Sequence, residues 1–145
     1  DWTRPEHAAG DDGEPQLTQA MAALRRVARP GSLVVILSDF IGLSRAGQSY
    51  LSSVARHSEV LAMFLSDPLE RALPPPGHYR LVAGDEELAI DTFAKAARRD
   101  YEEAFLDRSH ELANFCQRYG VHLMELSTAD DPVTVLKSAL GRRER

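Results

Sequence analysis

Gly31-Ser32-Leu33-Val34-Val35-Ile36-Leu37-Ser38-Asp39-Phe40 is an apolar run that stops abruptly at a serine and an aspartate. A short β-branched run without polar alternation predicts a strand buried on both faces, as in the parallel sheet of an α/β protein. In such sheets ligands bind outside the carboxyl ends of the strands, so Ser38 and Asp39 fall where a site would lie. The same residue types also serve as turn and capping groups. The run alone leaves both readings open.

Working outward, Pro30-Gly31 closes a helix that begins near Gln16. In it Leu17, Met21, Leu24 and Val27 recur at helical spacing, with Arg25, Arg26 and Arg29 toward the carboxyl end. On the other side Ser44 is the expected N-cap of a helix whose apolar stripe is Leu51, Val54 and Ala55. Glu59 to Leu65 reads as a second buried strand, and it too ends in Ser66-Asp67 before Pro68. After the stiff Pro74-Pro75-Pro76-Gly77, the segments 79–82 and 87–90 flank Gly84-Asp85 as a β-hairpin. Asp91 or Thr92 is expected to cap a long helix with Phe93, Ala97, Tyr101, Ala104, Phe105, Leu112, Phe115, Cys116 and Tyr119 on one face and Gly120 as its stop. At 1.5 Å per residue that helix is roughly 40 Å long and should overhang the sheet. Val121 to Leu126 is a third strand, closing in Ser127-Thr128. Asp131-Pro132 then opens a last helix with Val133, Leu136 and Leu140 on its apolar side.

The polar, aperiodic residues 1–15 read as a loose arm before one domain, 16–145. Alternating helices and strands predict an α/β fold: a mostly parallel sheet flanked by helices, joined by right-handed crossovers, with an inserted β-hairpin. With only three sheet strands, the first would present a long apolar edge. A second copy, or further strands, is expected to cover it.

Composition bounds the function. The chain has 145 residues, one domain's worth, with 43% hydrophobic and 27% charged residues, as in ordinary globular proteins. The net charge of −5 argues against nucleic acid and anionic membranes. Arg25-Arg26 and Arg142-Arg143 sit at helix carboxyl ends, where cations complement the dipole. No apolar run approaches the ~20 residues of a membrane span, and no signal peptide is visible. The lone Cys116 suits a reducing compartment, so a cytoplasmic location is expected. The first residue is Asp1 rather than methionine, as in a piece of a longer protein.

Three strand ends, Ser38-Asp39, Ser66-Asp67 and Ser127-Thr128, would share one rim of a parallel sheet. Hydroxyls with carboxylates suit a hard cation such as magnesium, which takes about six oxygen ligands. Asp67-Pro68-Leu69-Glu70 sets two carboxylates three residues apart, an acid–base pair or, more simply, a capped turn. His110-Glu111-Leu112-Ala113-Asn114 has Asn114 where a zinc helix needs its second histidine. Cys116 beside Phe115 on an apolar face reads as a buried, inert thiol. There is no glycine-rich phosphate loop and no G-x-S-x-G.

Three blocks together resemble the C-terminal half of the bacterial domain of unknown function fifty-eight: Arg29-Pro30-Gly31-Ser32-Leu33-Val34 into Leu37-Ser38-Asp39-Phe40; Asp67-Pro68-Leu69-Glu70 with Leu73-Pro74; and Asp91-Thr92, Tyr101, Phe105, Arg108 and Gly120 into Leu126-Ser127-Thr128 and Asp131-Pro132. The resemblance runs from Gln16 to Leu140. It implies a von Willebrand factor A-like, Rossmann-like sheet with a metal-ion-dependent adhesion site at its carboxyl rim, and a working partnership with MoxR-type AAA+ ATPases. On that reading Asp39 is the late aspartate of the metal site and Ser38 lies beside it. The early Asp-x-Ser-x-Ser of such a site has no match here, as if the N-terminal strands of the domain were missing.

The metal site is therefore expected to be incomplete, with Mg2+ or Mn2+ binding a property of the full-length domain. The strand 33–37 is expected to mediate homo-oligomerisation. The resemblance implies a binding module rather than an enzyme, an adaptor or co-chaperone for a MoxR-type AAA+ ATPase and its protein clients. The alternative is a metal-dependent hydrolase using Asp39, Asp67 and Glu70, which would have to converge on one ion. A third reading is docking on the long helix through an exposed patch at Tyr101, Phe105 or Leu112.

Overall fold

In the computed structural model, which describes residues 16–83 and 86–140, the three apolar runs form one parallel sheet. Its strands are β1 (Leu33–Ser38), β2 (Glu59–Ser66) and β5 (His122–Ser127), in the order β1-β2-β5. The register sets Leu37 beside Met63 and Met63 beside Met124. Helices α1 (Gln16–Val27) and α2 (Arg45–Ala55) bracket β1 in sequence. A single helical turn, α3 (Pro68–Arg71), follows β2. The hairpin strands β3 (His78–Ala83) and β4 (Glu86–Asp91) precede the long α4 (Lys95–Tyr119), and α5 (Pro132–Leu140) follows β5. Residues 1–15, the hairpin turn Gly84-Asp85 and Arg142-Arg143 lie outside the described residues. No helix among the described residues is long and apolar enough to cross a membrane.

Alternation along each strand divides the core in two. Val34, Ile36, Val60, Ala62 and Phe64 face one way, against Met21 of α1, Leu51 and Val54 of α2, and Phe105, Leu112, Phe115 and Cys116 of α4. Met63, Met124 and Leu126 face the other way, covered by Val135 and Leu136 of α5. Among the described strands of this sheet, only β2 is paired on both edges with core residues on both faces. The expectation that β1 is buried on both faces fails: Leu33, Val35 and Leu37 are 62, 53 and 59% exposed. The reason is coverage. Among the described residues, the cluster under α5 contains no β1 residue, and β1 is paired along one edge only.

One helix boundary also differs from expectation. Asp91 and Thr92 do not cap α4, which starts at Lys95 after Ala94 with no side-chain cap bond. Asp91 ends β4 instead, its Oδ1 accepting from the Phe93 N–H at 2.9 Å. Thr92 is buried and ties down the proline strap: its Oγ1 donates to the Pro75 carbonyl at 2.8 Å and accepts from the Gly77 N–H at 2.9 Å. Prolines have no N–H of their own, so a hydroxyl that can both give and take suits this strap. The hairpin itself forms, antiparallel from His78 opposite Asp91 to Ala83 opposite Glu86, as a separate two-stranded sheet.

Helix α4 does overhang, since its first buried residue is Phe105. The patch named for docking is not an exposed one, however: Phe105 and Leu112 are core residues and the Tyr101 hydroxyl donates to the Leu69 carbonyl at 3.0 Å.

Candidate functional site

The carboxyl end of β1 is built by short local bonds. Ser38 Oγ accepts from the Phe40 N–H and Asp39 Oδ1 from the Ile41 N–H, each at 3.0 Å. These bonds turn the chain sharply and leave Phe40 at φ 55°, the left-handed region. For a non-glycine residue that conformation costs about 1–2 kcal/mol. What holds it is burial: the Phe40 ring is in the core, edge-on to Phe64 with centroids 6.5 Å apart. Gly42, at φ 79°, completes the loop, and Ser44 caps α2 as expected, its Oγ accepting from the Gly47 N–H at 3.2 Å.

The loop is clamped from α1. Thr18, fully buried, accepts from the Ser44 N–H at 3.3 Å through Oγ1 and lies 2.9 Å from Ser44 Oγ. The two helices come so close here that a Cβ on Gly47 would sit 2.9 Å from Leu43 Cδ1 and 3.1 Å from Thr18 Oγ1. Glycine at 47 is what lets α1 grip the loop.

Between this loop and α4 lies a cleft of about 390 Å³, within the size range of small ligand sites. Phe40, Phe64, Leu112 and Phe115 supply its apolar lining, and Asp39, Gln48, Arg108 and Glu111 its polar groups. The Arg108 guanidinium lies over the Phe105 ring, 5.7 Å from its centroid, and makes no ion pair among the described residues. Phe105 in turn stacks on Phe64 at 5.9 Å. Asp39 Oδ2 accepts no hydrogen bond from a described residue, whereas Oδ1 is held by Ile41 and, at 3.5 Å, by Ser38 Oγ.

The other end of the rim is closed on itself. Asp67 caps α3, its Oδ1 accepting from the Leu69 N–H at 2.9 Å, while Thr128 Oγ1 donates to Oδ2 at 2.5 Å. Both bonds, the Thr128 hydroxyl foremost, hold the Asp67 carboxyl below the usual range. Arg71 donates to Ser66 Oγ at 3.0 Å and pairs with Glu125 at 3.6 Å. The Ser127 N–H donates to Asp130. Glu70 stays out of this network; after burial, its charge is the next cause that raises Tyr101. Of the expected rim residues, the structure thus joins Ser66, Asp67 and Thr128 and leaves Asp39 on the cleft, with Ser38 in the turn beside it. Asp67 as a capped turn is the reading that holds. Cys116 is buried, and burial pushes its thiol up to about 11, unsuited to a nucleophile.

Of the cleft residues on α4, Leu112 was a docking candidate, whereas Arg108, Glu111 and Phe115 were not expected at a site. Arg108, Glu111, Leu112 and Phe115 are spaced i, i+3, i+4, i+7, one helical face, and that spacing was the available signal. At the end of β1 the neighbouring side-chain oxygens are those of Ser38 and Asp39, with Ser38 Oγ also accepting from the Phe40 N–H. Among the described residues no three His, Cys, Asp or Glu side chains come together as a metal set. The hydrolase reading needed Asp39, Asp67 and Glu70 to converge, and they form no such group.

Comparison with known proteins adds the family. The model of the family described as "Protein of unknown function DUF58" matches residues 4–111. Uncharacterized proteins of Mycobacterium bovis and Mycobacterium tuberculosis are 31% identical over 147 residues, covering 99% of this chain and 44% of theirs. An uncharacterized protein of Mycobacterium avium is 30% identical over 146 residues, covering 99% of this chain and 83% of its own. The chain thus spans less than half the length of the first two relatives. No solved structure matches.

Proposed function

Because the chain belongs to the DUF58 family, we propose that it is a protein-binding module whose carboxyl-rim cleft takes an acidic, partly apolar segment of a partner protein. The observation that carries this reading is Arg108, a guanidinium lining the cleft that makes no ion pair among the described residues. Stacked on Phe105, it is pre-oriented and lies ready for a bidentate carboxylate. Phe40, Phe64, Leu112 and Phe115 would receive the apolar side chain beside that carboxylate, with Asp39 and Glu111 rejecting a second acidic group. In the metal-dependent adhesion site implied by the resemblance, a bound cation would meet the partner's acid. In this chain Arg108 supplies the positive charge, and no step depends on a metal.

The partner class to test first is the one the resemblance implies, a MoxR-type AAA+ ATPase. Calorimetry of this chain with the MoxR-type ATPase of the same genome should give saturable binding. Arg108→Glu should weaken it at least about 10-fold, the ~1.5–3 kcal/mol of a hydrogen bond to a charged group. Lys95→Glu, on the overhanging start of the same helix, should leave it unchanged. Equal loss from both variants, or none from Arg108→Glu, removes the cleft from the proposal.

A further inference from the structure

Thr18 is a hydroxyl on the packed side of α1, among Leu17, Met21 and Leu24, and it is fully buried. Its partners all belong to the loop that closes the rim cleft: the Ser44 N–H at 3.3 Å, the Ser44 hydroxyl at 2.9 Å and the Gly42 carbonyl at 3.4 Å. Gly42 and Ser44 line the cleft, whereas Thr18 stands behind them. One arrangement of protons satisfies every group. Ser44 Oγ accepts from the Gly47 N–H and donates to Thr18 Oγ1, which also accepts from the Ser44 N–H and donates to the Gly42 carbonyl. That uses the one proton and both lone pairs of the Thr18 hydroxyl.

The loop needs such a hold. Two residues before Gly42, Phe40 stands in the left-handed region at φ 55°, a conformation that persists only where the surroundings over-determine it. Burial of the Phe40 ring secures one end of the loop, and Thr18 secures the other. We propose that Thr18 is the positioning residue of the rim cleft: its hydroxyl latches the loop 40–44 across from Arg108, so that docking of α1 and occupancy of the cleft reinforce each other. The coupling rests on the cleft being a binding site, while the latch is a property of the free chain. A ligand that prefers the latched loop favours a docked α1, and by linkage a docked α1 favours that ligand to the same degree.

The test begins with amide exchange in the free 145-residue chain, read by NMR. Thr18→Val keeps the shape and removes the hydroxyl, so the Ser44 amide should exchange about 5-fold faster, the loss of one hydrogen bond, beyond any acceleration of the β2 amides of Val60 and Ala62. Thr18→Ser keeps the hydroxyl and should restore slow exchange at Ser44, although it loses a buried methyl. Gly47→Ala keeps both hydroxyls but sets its Cβ 3.1 Å from Thr18 Oγ1. It should free the same amide even though alanine is the better helix former. Equal acceleration at Ser44 and in β2 would make Thr18 an ordinary core residue and overturns the proposal, as does unchanged Ser44 exchange in Thr18→Val. The coupling is read with the MoxR-type ATPase of the same genome, whose binding Thr18→Val should weaken about 5-fold by the same lost bond. ATPase binding that Arg108→Glu weakens and Thr18→Val does not overturns the coupling. Absence of any ATPase binding overturns the reading of the cleft instead, and exchange at Ser44 still decides the latch.

Discussion

The two halves of the carboxyl rim start from the same letters and end in different states. Ser38-Asp39 and Ser66-Asp67 each close an apolar strand. At the second, Asp67 spends one oxygen on the Leu69 N–H and the other on the Thr128 hydroxyl, with Arg71 held by Ser66 and Glu125 alongside. At the first, Asp39 spends one oxygen on a turn and the second remains open beside an apolar cleft. The residues just after each pair make the difference. Pro68 pre-sets the first turn of a helix, which makes Asp67 a cap. Phe40-Ile41-Gly42 cannot start a helix; it bends out and back, with Phe40 forced left-handed. A Ser-Asp pair therefore says little by itself, and the next residue says whether its oxygens are already taken.

The largest effect that could break this contrast is at Phe40. Removing its ring from the core should cost about 3–5 kcal/mol in Phe40→Ala, read by urea unfolding. Phe40→Gly loses the same ring but relaxes the left-handed backbone, so it should be milder than alanine by about 1 kcal/mol. Ordinarily glycine is the worse of the two. If it is worse here as well, Phe40 is not strained, and the loop at Asp39 is as relaxed as the cap at Asp67.

How far the sequence could be read respects the same division. Local chemistry was legible. The Ser44 and Asp131-Pro132 caps, the Gly120 stop and the three parallel strands all rest on nearest neighbours and periodicity, and they form as expected. What escaped depends on residues distant in the chain. Thr92 reads as a cap because hydroxyls before a helix usually are, yet its partners are at Pro75 and Gly77. β1 reads as doubly buried because apolar runs cannot report which neighbours are present to cover them. Arg108 is visible in the sequence, but only the loop from β1, clamped by Thr18, turns that helical face into a cleft wall.

The next effect sharpens the contrast by pH. The Asp67 carboxyl is held below its ordinary value of 3.8 in the folded chain. Its contribution to stability is therefore complete above the unfolded carboxylate range and is lost as pH falls through the lower folded value. Asp67→Asn should lower Tm near neutral pH and lie closer to the parent as the pH drops below about 4. Asp131, held low mainly by the Thr134 hydroxyl, titrates over the same range. Only the difference between parent and variant isolates Asp67, and a constant gap across this range would mean that its bonds do not favour the carboxylate.

The smallest effect on stability, and the most informative for function, is expected at Asp39. A surface group with one turn bond should be dispensable, so Asp39→Ala should leave Tm within about 1 °C, as for most exposed substitutions. The cleft nonetheless loses its only acid from the β1 loop, and partner selection should relax toward more acidic segments because one repulsive charge is gone. Magnesium provides the opposing check. With chiefly one open carboxylate oxygen at this end, the chain should show no saturable heat with magnesium up to about 10 mM, far short of what a six-oxygen site needs. Tighter binding that vanished in Asp39→Ala would place a cation where Arg108 is proposed to act. The open end of the rim would then be a metal site awaiting its remaining ligands, rather than a cleft already equipped with its own positive charge.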